Sequence, residues 1–293
     1  MNVSRRTFLA AASGAAVAGQ ALAGFGNYIF GVVAPTRDFD NSVQFGFDYH
    51  EPSVCEVANM PDADFARFKD HVLGSRIRCR RLNFFTSPPA GFDLPVIRVV
   101  GENLDQALIR GYVEKSLDRC KQLGAEIVVW GSAASRKVPE GFARERAWAQ
   151  IQDFLRMTDP IARSHNITVA IEPIRASSSN ILATGAEVLK MEQELKLPNI
   201  KMMIDYYQMR SMNEKPDIVW TARKEIVHLH FANPSGPNKV SAWPKDQGED
   251  PEYGHFFELV KKMGYRGGIS IEAKGTYQES AASALAFFKK ALA

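Results

Sequence analysis

Residues 167–173 read Ile167-Thr168-Val169-Ala170-Ile171-Glu172-Pro173, a short apolar run that ends in a carboxylate and is closed by a proline. The run is rich in β-branched residues and is apolar on both of its alternating faces, which is typical of a buried parallel strand. We therefore predict a strand over 167–172 with a polar side chain at its carboxyl end.

Runs of the same kind recur along the chain. Short apolar segments rich in β-branched or aromatic residues predict seven further strands, at Ile29–Val33, Gly46–Glu51, Ile77–Phe85, Glu126–Gly131, Ile200–Asp205, Val227–Phe231 and Gly268–Glu272. Segments with helical spacing lie between them, the clearest at Leu104–Leu123, Trp148–Ser164, Phe256–Met263 and Ala281–Leu292. Gly124 and Gly264 follow two of these segments as expected helix ends.

The alternation of strands and helices predicts an α/β protein. Eight strand–helix units in a chain of this length fit a (β/α)₈ TIM barrel. The alternative is a doubly wound open sheet. Against it, Gly31-Val32-Val33-Ala34-Pro35 after the first strand lacks the GxGxxG form of a phosphate-binding loop.

Composition narrows the class of protein further. The 293 residues are 45% hydrophobic and 24% charged, as in an ordinary globular protein. A formal charge of +3 gives no reason to expect a nucleic-acid partner. The chain has three cysteines, Cys55, Cys79 and Cys120, and a small, odd number of this kind argues against a disulfide framework. We interpret them as small core residues.

The first residues have the form of an export signal. Ser4-Arg5-Arg6-Thr7-Phe8-Leu9 precedes a weakly apolar run rich in Ala and Gly, which ends in Ala21-Leu22-Ala23. This pattern predicts a twin-arginine signal peptide over 1–23, the twin-arginine export machinery as a partner and a periplasmic protein. Residues 24–293 would then form a single barrel domain, with its charge reduced from +3 to +1. An N-terminal helix of the domain, or an uncleaved anchor, is the alternative.

Each of four consecutive predicted strands carries a residue of metal-ligand type at or next to its carboxyl end. These residues are Glu172, Asp205, His230 and Glu272. The carboxyl ends of barrel strands meet at one rim, where three carboxylates would repel one another. A divalent cation would relieve that repulsion, and a ligand set of oxygens with one nitrogen suits Mn²⁺, Mg²⁺ or Co²⁺. We therefore expect one divalent metal ion at this rim.

The seventh strand carries two histidines, His228 and His230. We expect only one of them to face the barrel interior, and we assign that place to His230 because it lies nearer the carboxyl end. His228 is then expected to face the helix layer as a structural histidine.

At these residues the chain resembles the xylose isomerase-like TIM-barrel superfamily, the "sugar phosphate isomerase/epimerase" group. The resemblance covers nearly all of the chain after the signal. It is carried by Ile171-Glu172-Pro173, Asp205-Tyr206-Tyr207-Gln208-Met209, His228–Pro234, Gly264–Glu272 and the loop Gly131–Phe142. These motifs are specific for the fold and the metal site and carry little information on the substrate.

The resemblance implies a carbon-acid mechanism. In the ketose 3-epimerase branch, Glu, Asp, His and Glu hold the metal, and they fall here on Glu172, Asp205, His230 and Glu272. The two glutamates of that branch also move protons on opposite faces of the sugar. This agrees with general chemistry, since a cation beside a carbonyl acidifies the neighbouring C–H and a carboxylate can remove that proton.

The chain departs from that branch at two positions. Gln208 stands where the branch has a histidine, and Ser178 stands where it has a substrate-binding glutamate, although Asn180 fits the pattern. Glutamine can hydrogen-bond a hydroxyl but cannot act as a base near neutral pH. We retain Gln208, Ser178 and Asn180 as candidate substrate contacts and expect a related reaction rather than ketose 3-epimerisation itself.

Five further residues are candidate substrate contacts, each with a structural alternative. Glu51 and Asn83 could reach the rim, although Asn83 could also be a loop cap. Arg136 could bind hydroxyls or an anion, or lie in a solvated loop. Lys239 and Trp243 could form part of a lid, with Trp243 stacked on a sugar ring or packed in its loop.

The function expected from the sequence is an exported metal-dependent sugar isomerase or epimerase that abstracts a proton α to a carbonyl of a free or oxidised sugar or polyol. A lyase that expels a β-leaving group from a keto-sugar or glycoside is the first alternative, and a sugar-binding protein without turnover is the second. Six histidines and a charge of +1 argue against a multi-metal phosphodiesterase. The oligomeric state is left open.

Overall fold

A computed structural model describes residues 28–235, 240–245 and 250–293. The signal predicted over 1–23 and the candidate Lys239 lie outside these residues. The described strands are β1 (Ile29–Val33), β2 (Tyr49–Glu51), β3 (Arg81–Leu82), β4 (Ile127–Trp130), β5 (Thr168–Ile171), β6 (Ile200–Asp205), β7 (Ile226–Phe231), β8 (Asn233–Ser235), β9 (Val240–Ala242) and β10 (Gly268–Ile271).

Helices connect the strands on the outside of the sheet. They are α1 (Phe39–Gln44), α2 (Val54–Asn59), α3 (Asp62–Gly74), α4 (Gln106–Gln122), α5 (Ala133–Arg136), α6 (Arg144–Ser164), α7 (Gly185–Leu195), α8 (Tyr206–Ser211), α9 (Asp217–Thr221), α10 (Tyr253–Lys262) and α11 (Tyr277–Leu292), with one 3₁₀ turn at Thr36–Asp38. Gly124 and Gly264 follow α4 and α10 with φ of +89° and +69°, so both predicted helix ends are confirmed.

The eight strands predicted from the sequence form one parallel sheet in the order β2-β1-β10-β7-β6-β5-β4-β3. Its two edge strands approach each other through isolated parallel bridges, Tyr49 with Arg78 and Ser53 with Asn83, which nearly close the barrel. The (β/α)₈ barrel is therefore confirmed, and the doubly wound open sheet is wrong. The antiparallel pair β8–β9, which follows β7, was not predicted.

Strand β7 separates the helix layer from the barrel interior. Phe231 packs outward against Phe257 of α10 and Phe288 of α11, with ring centres 5.2 Å and 5.6 Å away. His230 therefore points inward. Residues two apart on a strand share a face, so His228 points inward as well, and the expectation that it faces the helices is wrong.

The three cysteines are free and buried, as predicted. Burial raises the pKa of the Cys55 thiol to about 11, so the thiol stays protonated and unreactive at neutral pH. None of the helices described has the length and apolar character needed to cross a membrane.

Candidate metal centre

The four predicted ligands meet at the carboxyl-terminal rim of the barrel. Glu172, Asp205, His230 and Glu272 each offer one ligand atom, and these atoms all lie within 4.8 Å of one another. The first three side chains are buried, whereas the side chain of Glu272 is 24% exposed. The cluster is thus closed from the barrel side and open toward the mouth at Glu272.

Within this cluster, each ionised carboxylate makes ionisation of its neighbours less favourable. Burial and the nearby charge of Glu272 raise the pKa of Glu172. Burial and the charges of both glutamates raise the pKa of Asp205 well above its usual range. Glu172 Oε1 is buried and accepts no hydrogen bond among the described residues. A cation would supply the missing partner, so the donor set fits a divalent metal ion.

The two ring nitrogens of His230 face different carboxylates. Its Nδ1 lies 3.0 Å from Glu272 Oε2 and 3.5 Å from Glu172 Oε1, whereas its Nε2 lies 2.9 Å from Glu51 Oε1. Burial lowers the pKa of His230, but the charge of Glu51 and the close contacts with all three glutamates outweigh it and raise the pKa well above the usual value. A proton at Nδ1 occupies the position that a cation could take.

Glu51 lies beneath the ligands rather than in the open pocket. It is fully buried, and its Oε2 accepts hydrogen bonds from His228 Nε2 at 3.1 Å and Ser270 Oγ at 2.5 Å. Burial raises the pKa of Glu51, but His230 and His228 outweigh this and hold it well below the usual range. With both oxygens engaged, Glu51 orients His230, as a carboxylate behind a metal-binding imidazole does. The sequence had placed Glu51 among the substrate contacts.

Asn83 and Gly131 complete the walls of the cluster. Asn83 Nδ2 donates to Glu272 Oε1 at 3.3 Å, and its Oδ1 accepts from the Phe84 amide at 2.6 Å. A Cβ on Gly131 would lie 1.8 Å from Glu172 Oε2, so only glycine leaves room for this carboxylate. Sequence reasoning missed the role of Gly131, although its place at the end of the strand beside that of Glu172 was a usable signal.

Arg136 is buried behind Glu172, so neither the solvated loop nor a direct substrate contact describes its position. Its guanidinium donates to the backbone oxygens of Trp130 at 3.0 Å and Glu172 at 2.5 Å. Burial lowers its pKa to about 10, which leaves it charged at neutral pH. It therefore joins the ends of β4 and β5 and places a positive charge behind the acidic cluster.

Gln208, Ser178 and Asn180 were predicted as substrate contacts by comparison with the ketose 3-epimerase branch. Only Gln208 lines the described cavity above the cluster. Its Oε1 accepts from the Arg175 amide at 3.2 Å. Asn180 is exposed and pairs with the backbone of Val138 at 2.8 Å and 2.9 Å. Ser178 lies in a turn in which its amide donates to the Arg175 oxygen. Asn180 and Ser178 thus make loop contacts.

Trp243 is buried at the side of the mouth. Its ring packs against Phe47 and Tyr277, with ring centres 6.4 Å and 5.6 Å away. Of the two alternatives for Trp243, stacking on a sugar ring or packing within its loop, this arrangement corresponds to the second.

A cavity of about 430 Å³ opens above the cluster. Asp205, Glu272, Tyr207 and Gln208 form its inner end. Ionised carboxylates beside a site able to hold a cation, next to a cavity of this size, can bind a small polyol and move protons on it.

Comparison with known proteins agrees with this architecture. The family model described as "Xylose isomerase-like TIM barrel" matches residues 39–291. A curated relative, a probable ketose 3-epimerase of Synechocystis sp., is 23% identical over 204 residues, which are 66% of this chain. The match spans 64% of that protein, less than two thirds of its length.

Solved structures of low identity share the fold. D-allulose 3-epimerase from Methylomonas sp., in complex with D-allulose, is 18% identical with a TM-score of 0.74, over 90% of this chain and 96% of that one. Apo 3-keto-D-glucoside 4-epimerase from E. coli is 14% identical with a TM-score of 0.70, over 90% of this chain and 98% of that one.

Proposed function

This chain belongs to the xylose isomerase-like TIM barrel family, and we propose that it is a divalent-metal-dependent sugar epimerase or isomerase. The observation that carries the proposal is the convergence of Glu172, Asp205, His230 and Glu272 in one cluster, of which Asp205 and Glu272 line the cavity. The sugar epimerases among its relatives and structural neighbours support the same reaction class.

Glu172, Asp205, His230 and Glu272 would hold the metal ion, through Nδ1 in the case of His230. When bound, a divalent cation polarises a carbonyl or hydroxyl oxygen and makes the adjacent C–H more acidic. Mn²⁺, Mg²⁺ and Co²⁺ all suit three oxygens and one nitrogen.

The two glutamates act as the acid–base pair. In the order β10-β7-β6-β5, Glu272 and Glu172 follow the two outer strands, with Asp205 and His230 between them. A substrate above Asp205 and His230 would therefore have one carboxylate on each side. One glutamate removes the proton α to the carbonyl, and the other returns a proton from the opposite face, which inverts the carbon.

The substrate class we infer is a free or oxidised sugar. Gln208 lines the pocket where the ketose 3-epimerase branch has a histidine, and it can bind a hydroxyl without changing protonation state. Ser178 stands where that branch has a glutamate, so this chain lacks the negative charge that the branch carries at this position. A keto-sugar or ketose with different hydroxyl geometry from a 3-epimerase substrate fits these changes.

A lyase is the second candidate, and the extent of the cavity beyond the metal centre favours it because there is room for a leaving group. In that reaction the α-proton moves to a glutamate and the bond β to the carbonyl breaks. The leaving group departs with the bonding electrons and takes up a proton. Product mass separates the reactions, because an isomerase conserves substrate mass and a lyase releases water or an alcohol.

The test is proton exchange in D₂O. The metal-loaded protein is incubated with a panel of sugars, keto-sugars and glycosides, and label and mass are followed. We expect metal-dependent deuterium incorporation, and Glu272→Gln or Glu172→Gln should abolish it. Glu258→Gln, on the exposed face of α10, is the matched control and should keep full exchange. Sugar binding without exchange across the panel would favour a binding protein and refute the enzyme.

Export is a separate part of the proposal and rests on the sequence of residues 1–23. We expect these residues to direct a folded reporter to the periplasm through the twin-arginine machinery. Replacement of Arg5 and Arg6 by lysine should retain the reporter in the cytoplasm. Export of that variant at the same rate would refute a twin-arginine signal.

A further inference from the structure

The cavity above the metal centre continues away from it. From Asp205 and Glu272 it extends to the loops that follow β1, β2 and β3. A second depression of about 540 Å³ adjoins it and shares Arg37, Glu56 and Phe92 among its walls. The two together offer a continuous surface that is longer than a single sugar ring needs.

The walls of this outer part are largely aromatic and apolar. Phe84 and Phe92 line it together with Pro35 and Pro89. Phe84 has φ of +55°, a left-handed conformation that is unfavourable for a bulky residue. Its amide donates to Asn83 Oδ1, and the amide of the same Asn83 side chain donates to Glu272. The Asn83 side chain therefore links the backbone at Phe84 to Glu272 of the metal centre.

Two polar side chains of the outer part, Glu56 and Ser53, are already engaged. Glu56 accepts hydrogen bonds from both the amide and the hydroxyl of Thr36. Ser53 Oγ accepts from the Glu56 amide at 3.3 Å, as the N-cap of α2. A second sugar would bring several hydroxyls to this region, and the remaining cationic side chains, Arg37 and Lys274, only donate hydrogen bonds. Hydroxyl hydrogens would therefore lack acceptors, which costs free energy. A flat apolar group needs no such partners.

Positive charge borders the same region. The guanidinium of Arg37 lies 5.8 Å from the centre of the Phe92 ring, and Lys274 lines the other side of the mouth. Within the part of the chain that the structure describes, neither side chain has a carboxylate at ion-pair distance. Because Glu56 lines the same region, a negatively charged group of an occupant would be complemented where it lies against Arg37, beside the Phe92 ring.

We propose that the outer part of this cavity, between Phe84, Phe92 and Arg37, binds an aromatic aglycone with an acidic substituent, so that the substrate is the keto form of an aryl glycoside. The proposal rests on the proposed function, in which the sugar lies at the metal centre. It adds a specificity site to that function, formed by the loops of β1, β2 and β3.

The experiment compares the affinities of a graded set of ligands for the full chain loaded with Mn²⁺. The probes are methyl, phenyl and 4-carboxyphenyl glucosides of both anomers, their 3-keto forms, and the disaccharides cellobiose and maltose, measured by calorimetry. We expect the phenyl compound to bind about tenfold more tightly than the methyl compound, from burial of the ring. The carboxyl group should add about threefold at low salt, falling at high salt.

Two variants separate the contributions. Phe92→Ala should remove the preference for phenyl over methyl, and Arg37→Gln should remove only the gain from the carboxyl group. Phe142 and Arg146 provide the matched controls, because they form a similar pair elsewhere, at the start of α6, with the guanidinium 4.7 Å from the ring centre. Phe142→Ala and Arg146→Gln should leave all affinities unchanged.

Each outcome bears on one of the two proposals. Equal binding of methyl and phenyl compounds, disaccharides that bind as tightly as the phenyl compound, or no binding of any glycoside would overturn the aglycone site. In the first two cases metal-dependent C–H exchange would leave the proposed function intact. Tight binding of aryl glycosides without exchange of any substrate would refute the proposed function and support the site.

Discussion

Substitution of Gly131 by alanine tests whether Glu172 is held where the structure places it. The added Cβ would lie 1.8 Å from Glu172 Oε2 and 3.1 Å from Asn83 Oδ1. Ordinary contact requires about 3.4 Å, so the carboxylate oxygen has to move by roughly 1.5 Å. The Glu172 side chain is buried and its backbone oxygen is bound by Arg136, so the shift falls on the carboxylate itself.

A displacement of this size should affect both binding and turnover. Loss of a well-placed ligand weakens the metal site, and a misplacement of about 1 Å lowers rate by about 100-fold, or about 2.7 kcal/mol in the barrier. We expect Mn²⁺ affinity, measured by calorimetry on the metal-free protein, to fall at least tenfold. Deuterium exchange should fall by about 100-fold, while the far-UV circular dichroism spectrum stays unchanged.

Gly111→Ala is the control for this experiment. Gly111 is exposed within α4, and an added Cβ there has no atom within 4 Å. This variant should bind metal as the wild type does and gain up to about 1 kcal/mol of stability from helix propensity. If Gly131→Ala kept wild-type affinity and exchange within twofold, the packing of Glu172 against Gly131 would be wrong.

Three further predictions concern the metal centre. Glu51→Gln should lower metal affinity by about 10–100-fold because His230 loses the carboxylate that orients it; calorimetry with Glu258→Gln as control checks this, and unchanged affinity would contradict it. Asp205→Asn should stabilise the metal-free protein at neutral pH, because the folded-state pKa of Asp205 is raised and its carboxylate is unfavourable above that pKa. This gain in the free energy of unfolding should shrink as the pH falls from the raised folded-state pKa of Asp205 toward its pKa in the unfolded chain. Thermal melts across pH that show no such trend would refute this prediction. Mn²⁺ at about 100 times its Kd should add about 2.7 kcal/mol to the free energy of unfolding, and a chelator should reverse it; a melting temperature that does not respond to the metal would argue against the site.

Strand β7 illustrates both what a local pattern predicts and what it misses. The sequence located the strand and the candidate ligand His230, because an apolar run followed by polar residues is a local pattern. It misplaced His228, since the assignment of one histidine to each face neglected that alternate residues of a strand share a face. The same face rule, applied to β2, separates Glu51, which points inward, from His50, whose Nδ1 lies 2.7 Å from Ser42 Oγ outside the barrel.

Local sequence patterns were enough to predict the eight strands of the barrel in order, and with them the four residues at or next to the carboxyl ends of β5, β6, β7 and β10. In a parallel barrel all carboxyl ends meet at one rim, so local position along the chain is enough to predict that these side chains converge. The neighbours that each of these residues meets could be read only from the folded chain. Glu51 and His228 are 177 residues apart in the sequence, and Arg136 and the Glu172 backbone oxygen that it binds are 36 residues apart. Such contacts depend on strand register and on close packing between distant segments, which no local pattern encodes.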